Sequence, residues 1–328
     1  MINAVKNWYD RHLTRDESVI LLMILLGALL LLSVLGDVLM PVFVALVIAY
    51  LMQGVANQLQ KWGLSREFAL AGSTLIFVGV FFGFTLGVAP LAWRQFEGLI
   101  REAPAMMAAV QIQIEQIMTR YPLVIEQAPI TEMLSSLQGQ VASMGQALVG
   151  FGLASIPGVL TFLIYLVLIP LMVFFFLKDR EQLMTWALSF LPSERPVLDR
   201  IGREVNVQIA NYVRGKGIEI AIMGALSYAG FAAFGLNYTA LLALLVGLSV
   251  IVPYIGAFLV TIPVVLIAFF QFGLMSHFYW VVGFYMLIQV LDGNLLVPVL
   301  FSEAVALHPV AIIIAILIFG GLWGVWGV

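Results

Sequence analysis

The chain contains no cysteine, which excludes disulfides, Cys-ligated zinc and thiol catalysis. Charge is also scarce: Asp, Glu, Lys and Arg make up 10% of its 328 residues, and no Lys or Arg follows Lys216. No G-x-x-x-x-G-K-[ST] phosphate loop occurs, the nearest approach being Arg214-Gly215-Lys216-Gly217. There is likewise no H-E-x-x-H and no G-x-S-x-G. A membrane aspartyl hydrolase needs two facing carboxylates, and the apolar runs offer one good candidate. These absences point away from an enzyme, and no residue pattern calls for a metal or a cofactor. The net charge of −3 is small, and the Lys and Arg residues lie in short patches beside apolar runs. Such patches report orientation in a bilayer rather than nucleic-acid binding.

What the chain has in abundance is hydrophobic sequence, 62% of the total, in runs long enough to cross about 30 Å of hydrocarbon. The fold class expected is all-α, a polytopic membrane helical bundle with about eight hydrophobic segments and an extramembrane helical cap. Residues 1–17 are polar and basic and form an N-terminal segment. The run that follows lacks an A-x-A cleavage site and reads as an uncleaved first span. Spans 1–3 fall within 18–92, at about 18–36, 38–56 and 68–92, with Gly36 and Asp37 predicting a tight hairpin between the first two. Residues 93–156 are too polar to span, 157–177 form a fourth span, and 178–217 form amphipathic helices. Residues 218–328 hold a fifth span at about 218–235, a helical hairpin, a broken helix and a last span from Pro309.

Lys6, Arg11 and Arg15, then Lys61 and Arg66, then seven basic residues within 178–217 fall on one side of four crossings. By the excess of Lys and Arg in cytoplasmic loops, that side and the N-terminus are cytoplasmic. The 93–156 segment then lies on the opposite side. Its Ile130, Leu134, Leu137, Val141, Met144 and Leu148 make a heptad seam, and Met106, Val110, Ile114 and Ile117 share one helical face. Such helices pack on one another or on the bilayer, or bind a neighbouring subunit. On the other side, Leu198, Ile201, Val205, Ile209 and Tyr212 form the apolar stripe of an interfacial helix. Gly79, Gly83 and Gly87, and Gly320, Gly324 and Gly327, offer close helix approach and favour a homo-oligomer.

From Tyr238 to Phe272 the chain carries no charge, and VPYIG at 252–256 divides it into halves too short to cross alone. Two short helices with a Pro/Gly tip fit this pattern. The next run breaks at Asp292, Gly293 and Asn294. At membrane depth the Asp292 carboxyl must be protonated or balanced by a cation, and either state suits coupled transport. Gln289, one turn earlier, and Asn294 could complete an oxygen shell for sodium or bind a polar solute. Alternatively, Asp292 caps a helix that begins at Gly293. Glu303 is a gate or relay acid, or a solvated loop acid. Glu219 is expected to pair with Lys216 at the interface, His277 to sit in an interfacial turn, and His308 to cap the helix beginning at Pro309.

Together VPYIG (252–256), LDGNLLVP (291–298), LHP (307–309), GGLWGVWG (320–327) and FFFLKDR (174–180) resemble the autoinducer-2 exporter family over nearly the whole chain. The resemblance implies a bacterial inner-membrane protein, a homo-oligomer that exports autoinducer-2 or, in some branches, exchanges sodium for protons. It singles out Pro253, Tyr254, Gly256, Asp292, Asn294, Pro298, His308 and Pro309. The reading from the residues is a secondary permease moving a small polar solute across the bilayer, with a proton or sodium as partner. The alternatives are a sodium/proton antiporter, a membrane scaffold and a passive channel.

Overall fold

The computed structural model describes residues 16–120, 139, 143, 156–192, 195–301 and 309–324. Every element among them is helical, as hydrocarbon demands of a backbone that finds no water to bond. In chain order these are α1 (Asp16–Lys61), α2 (Arg66–Gly83), a π-helical segment (Phe84–Val88) and α3 (Ala89–Arg120). Then follow α4 (Ile156–Lys178), α5 (Arg180–Leu188), α6 (Pro196–Ala233), α7 (Thr239–Ser249) and α8 (Ile255–Phe272). The last are α9 (Ser276–Leu291), a second π segment (Asp292–Leu296), α10 (Val297–Phe301) and α11 (Pro309–Trp323). Among the described residues, six stretches are long and apolar enough to cross a membrane: Val19–Gly36, Val38–Lys61, Arg66–Met106, Leu160–Lys178, Ile255–Phe272 and Ser276–Phe301. Two shorter apolar helices, Thr239–Ser249 and Val310–Trp323, accompany them. The fifth span expected near 218–235 is the second half of α6 and is not among the six.

Two expected features take a different form. No turn occurs at Gly36–Asp37, because α1 runs unbroken for 46 residues, about 69 Å at 1.5 Å per residue. Reversal past a helix end usually uses a left-handed residue, and among the described residues the glycines at positive φ are Gly63, Gly235, Gly273 and Gly324, not Gly36. The glycine ladder also finds no backbone to approach: a Cβ built on Gly79, Gly83 or Gly87 meets nothing within 4 Å. The heptad seam from Ile130 to Leu148 lies outside the described residues.

The chain divides into two compact units. One comprises Met1–Val78, Tyr165–Ile218 and Val297–Val328. Within it α6 packs on α1 so closely that a Cβ on Gly217 would stand 2.6 Å from Leu51 Cδ2, and one on Gly54 2.9 Å from Arg214 Nε. The Tyr50 hydroxyl donates to Asn206 Oδ1 at 2.9 Å, and the Lys216 ammonium lies 5.2 Å from the Phe301 ring centre.

The other unit comprises Gly79–Ile164 and Glu219–Leu296. Its core joins Met223 and Phe231 of α6, Leu242 and Val246 of α7, Val264 and Ile267 of α8, and Val281, Tyr285 and Ile288 of α9. Gly235 ends α6 in a left-handed turn: Leu236 N–H donates to Phe231 O and Gly235 N–H to Ala232 O, at 2.9 and 3.0 Å. Leu236 then folds into the core, 3% exposed. The expected hairpin is present as α7 and α8, joined by 250–254 and packed side by side.

Two glycines permit close approach here, one of α7 to α6 and one at the hairpin tip. A Cβ on Gly247 would stand 3.0 Å from Ile220 O, and one on Gly256 1.9 Å from Ser249 O. Since a backbone carbonyl cannot rotate aside, Gly256→Ala must open the tip, at a cost of about 1–3 kcal/mol. Gly283→Ala, where a Cβ meets nothing within 4 Å, is the matched control. Thermal unfolding in detergent is expected to show a lower midpoint for the first variant and a native one for the second.

Candidate functional site

In α9, Val281, Tyr285 and Ile288 recur at helical spacing and all are buried. Tyr285 is fully enclosed, so its hydroxyl needs partners inside the bundle. It finds them on α8: Thr261 Oγ1 lies 2.9 Å away and Ala257 O 3.3 Å away, while the Thr261 hydroxyl donates to Ala257 O at 2.7 Å. From its own helix it accepts a bond from Gln289 Nε2 at 2.6 Å. The result is a hydrogen-bonded chain from Gln289 through Tyr285 and Thr261 to the Ala257 carbonyl, crossing from α9 to α8 within an apolar core. Gln289 uses its amide N–H here, and its carbonyl oxygen is not spent on Tyr285.

Asp292 continues this line. Residues 285, 289 and 292 are spaced i, i+4, i+7 and therefore share one helix face. The helix is not broken there. Asp292 has φ −59° and ψ −59° and its N–H donates to carbonyls of the preceding turn, so it is not the cap of a new helix. Instead the helix widens into the π segment Asp292–Leu296 and resumes as α10. A π turn shifts the backbone register and displaces a carbonyl, and such turns recur at functional sites. Asn294, exposed, donates its side-chain amide to Val290 O at 2.9 Å, so its N–H serves this turn. Asp292 itself is half-buried.

The hairpin tip holds Pro253, half-buried, and Tyr254, which is 62% exposed and has φ 63° and ψ −53°. That backbone is costly for a residue with a Cβ and is held here by the bonds around it, Ile255 N–H to Pro253 O and Gly256 N–H to Val252 O. Pro298 is exposed on α10. Glu303 and His308 lie outside the described residues. His277 is exposed and stacks on Phe272, ring centres 5.6 Å apart.

Two candidates escaped the sequence and a third was placed differently. Tyr285 and Thr261 looked like ordinary apolar-span residues, because only the α8–α9 register reveals that they meet. Glu219 was expected at the interface with Lys216, yet it is 1% exposed. It shares a face of α6 with Met223 and Ser227, both fully buried, and that face turns inward where Ile220 O packs on Gly247. The i, i+4, i+8 spacing of these three was the available signal.

A second polar cluster lies at the turn between α6 and α7. Gln95 of α3 accepts from Leu241 N–H at 2.8 Å, Glu102 accepts from the Tyr238 hydroxyl at 2.5 Å, and Gln271 bonds both Asn237 N–H and Gly235 O at 2.7 Å. Glu102, Asn237, Tyr238 and Gln271 line a cavity of about 300 Å³ with Met106 and Phe270. Burial, and then the hydrogen bond to Glu102 and its charge, push the Tyr238 hydroxyl from 10.0 up to about 12.

The family described as AI-2E family transporter matches residues 19–328. A protein of Escherichia coli (strain K12) bearing the name "Putative permease PerM" is 44% identical over 328 residues, covering 100% of this chain and 93% of its own length. In Bacillus subtilis (strain 168), YueF is 24% identical over 293 residues, covering 88% of this chain and 78% of itself. YrrI of the same organism is 24% identical over 311 residues, covering 90% and 82%, and both carry transport-protein names.

Two outcomes follow from the geometry. Tyr285→Phe strips Gln289 and Thr261 of their shared partner and is expected to cost about 1–2 kcal/mol in unfolding free energy, read from thermal midpoints in detergent. At the α6–α7 turn the neutral Tyr238 hydroxyl is the favoured form. Its contribution is therefore complete below pH 10 and lost as the pH rises through about 12. Melting curves across that window should lose this step in Tyr238→Phe, and tyrosinate absorbance in Glu102→Gln should appear at lower pH.

Proposed function

The chain belongs to the AI-2E transporter family, and on that premise we propose that it is a secondary permease exporting a small polar solute, with Asp292 coupling movement to protons or sodium. It is a multi-pass membrane protein of a transport family, and the observation that carries the finer reading is the polar row Tyr285, Gln289 and Asp292 on one face of α9. A carboxyl among apolar helices is stable as a neutral acid or with a cation beside it. A site that alternates between the two in step with its exposure links ion movement to solute movement.

The residues near Asp292 suit either partner. Tyr285 and Thr261 are spent on each other and on Ala257 O and hold Gln289 in place, which leaves the Gln289 carbonyl oxygen and the Asp292 carboxylate as oxygen donors for sodium or as acceptors for a solute hydroxyl. The same donors make sodium/proton antiport the second reading. In either case Pro253, Tyr254 and Gly256 hold the hairpin tip as part of the path, and Asn294 holds the π turn that sets Asp292. From the sequence alone, Glu303 is kept as a gate or relay acid and Pro298 and His308 as residues of the path. An autoinducer-2-like solute, a homo-oligomeric assembly, a bacterial inner membrane and a cytoplasmic N-terminus come from the family resemblance and the distribution of Lys and Arg.

The test is flux into proteoliposomes under imposed proton and sodium gradients, with autoinducer-2 and other small polar solutes supplied. The native protein is expected to accumulate its solute against a gradient. Asp292→Asn is expected to fall to the level of protein-free vesicles in gradient-driven accumulation. Undiminished coupled transport in that variant removes Asp292 from the coupling role. Flux that never accumulates solute describes a channel, and no flux with any solute or ion a scaffold.

A further inference from the structure

Where α1, α4 and α5 meet, the first unit contains a cleft with two chemically distinct chambers. One, of about 310 Å³, is walled by Leu46, Ala49, Leu177, Leu183 and Trp186, with Arg180 at its edge. The other, of about 560 Å³, is lined by Gln53, Asn57, Gln60, Arg66 and Arg180. Gln53, Leu177, Arg180 and Met184 line both, so the two are continuous. In the polar chamber Glu181 pairs with Arg66 at 2.8 Å, whereas Arg180 has no hydrogen-bond or ion-pair partner among the described residues. Two guanidinium groups against one carboxylate leave this chamber positive.

The cleft sits at the charged ends of membrane-length helices. Lys61 closes α1, Arg66 opens α2 and Lys178 closes α4. Trp62 and Trp186 beside them are 70% and 64% exposed, which is where interfacial aromatic residues stand. A soluble anion matches the polar chamber alone, and an apolar solute the other chamber alone. A molecule with an anionic head and a hydrocarbon tail matches both, and basic pockets between membrane helices take such head groups.

We propose that this cleft is a binding site for an anionic phospholipid of the adjoining leaflet, its phosphate on Arg180 and Gln53 and part of an acyl chain against Leu46, Leu177 and Trp186. This site is separate from the polar row of α8 and α9 and stands whether or not Asp292 couples transport. It makes the lipid a structural ligand that joins α5 to the ends of α1 and α4.

The experiment is native mass spectrometry of the full chain in detergent, exposed to phosphatidylglycerol or phosphatidylcholine of identical acyl chains. The native protein is expected to retain phosphatidylglycerol in preference. Arg180→Gln is expected to weaken that retention about tenfold, the loss of one charge-assisted hydrogen bond, and Arg180→Lys to keep most of it. Ala187→Trp, at an exposed α5 position on the apolar wall, is expected to lower retention of both lipids by filling the tail chamber. Equal retention of the two lipids, or retention unchanged in both Arg180→Gln and Ala187→Trp, overturns the proposal. So does displacement of phosphatidylglycerol by inorganic phosphate at equal concentration, which assigns the polar chamber to a soluble anion.

Discussion

A peptide carbonyl surrounded by hydrocarbon has to find its donor within the chain, and the architecture follows from that requirement. It makes every described element a helix and puts the closures where a glycine or a side chain can finish the bonding. Gly63 and Gly235 end α1 and α6 in left-handed turns whose N–H groups reach back to the last carbonyls. The α7–α8 tip is bonded through Val252 and Pro253 carbonyls, at the expense of Tyr254 standing at positive φ. Near Asp292 the same requirement produces a widened turn rather than a break, with Asn294 bonded to the Val290 carbonyl.

Polar side chains inside the second unit obey the same accounting, and their arrangement gives the bundle chemistry beyond packing. The Tyr285 hydroxyl is bonded from both helices, so α8 and α9 are locked in one register at that level. Asp292 is half-buried at the end of that locked stretch, where the helix changes pitch. A rigid hydrogen-bonded row leading to a carboxyl in a less regular turn combines positioning with freedom to change state. Glu219 adds an enclosed acid within the same unit, on α6 near the close approach of Ile220 to Gly247.

Much of this was legible in the residues, for identifiable reasons. Long uncharged runs gave the membrane spans, because the length of a helix across hydrocarbon is fixed by geometry. VPYIG marked the hairpin tip because only a glycine fits against the Ser249 carbonyl. The isolated acid at 292 marked the row on α9, although a break was expected and a π turn, which leaves no composition signature, is present. Gly36–Asp37 misled in the opposite way: two residues of turn-forming type do not reverse a chain unless the backbone past them leaves the helical region. Glu219 was placed at the interface on the strength of Lys216 one turn away, whereas its side chain lies on the buried face it shares with Met223 and Ser227. The Thr261–Tyr285 contact depends on how two helices are rotated against each other, which no single-helix pattern records.

What remains central is whether the face carrying Tyr285, Gln289 and Asp292 meets water within the bundle. The native chain has no cysteine, so an introduced thiol is the sole target for a maleimide. The direct measurement is the reaction of Asp292→Cys in membrane vesicles with a charged, membrane-impermeant maleimide, compared with Val290→Cys on an exposed apolar position of the same helix. The account predicts labelling of the first variant, slowed by transported solute or sodium, and protection of the second by lipid. Labelling of Asp292→Cys only by a lipid-soluble maleimide would place the carboxyl against the bilayer and contradict a transport path along this face.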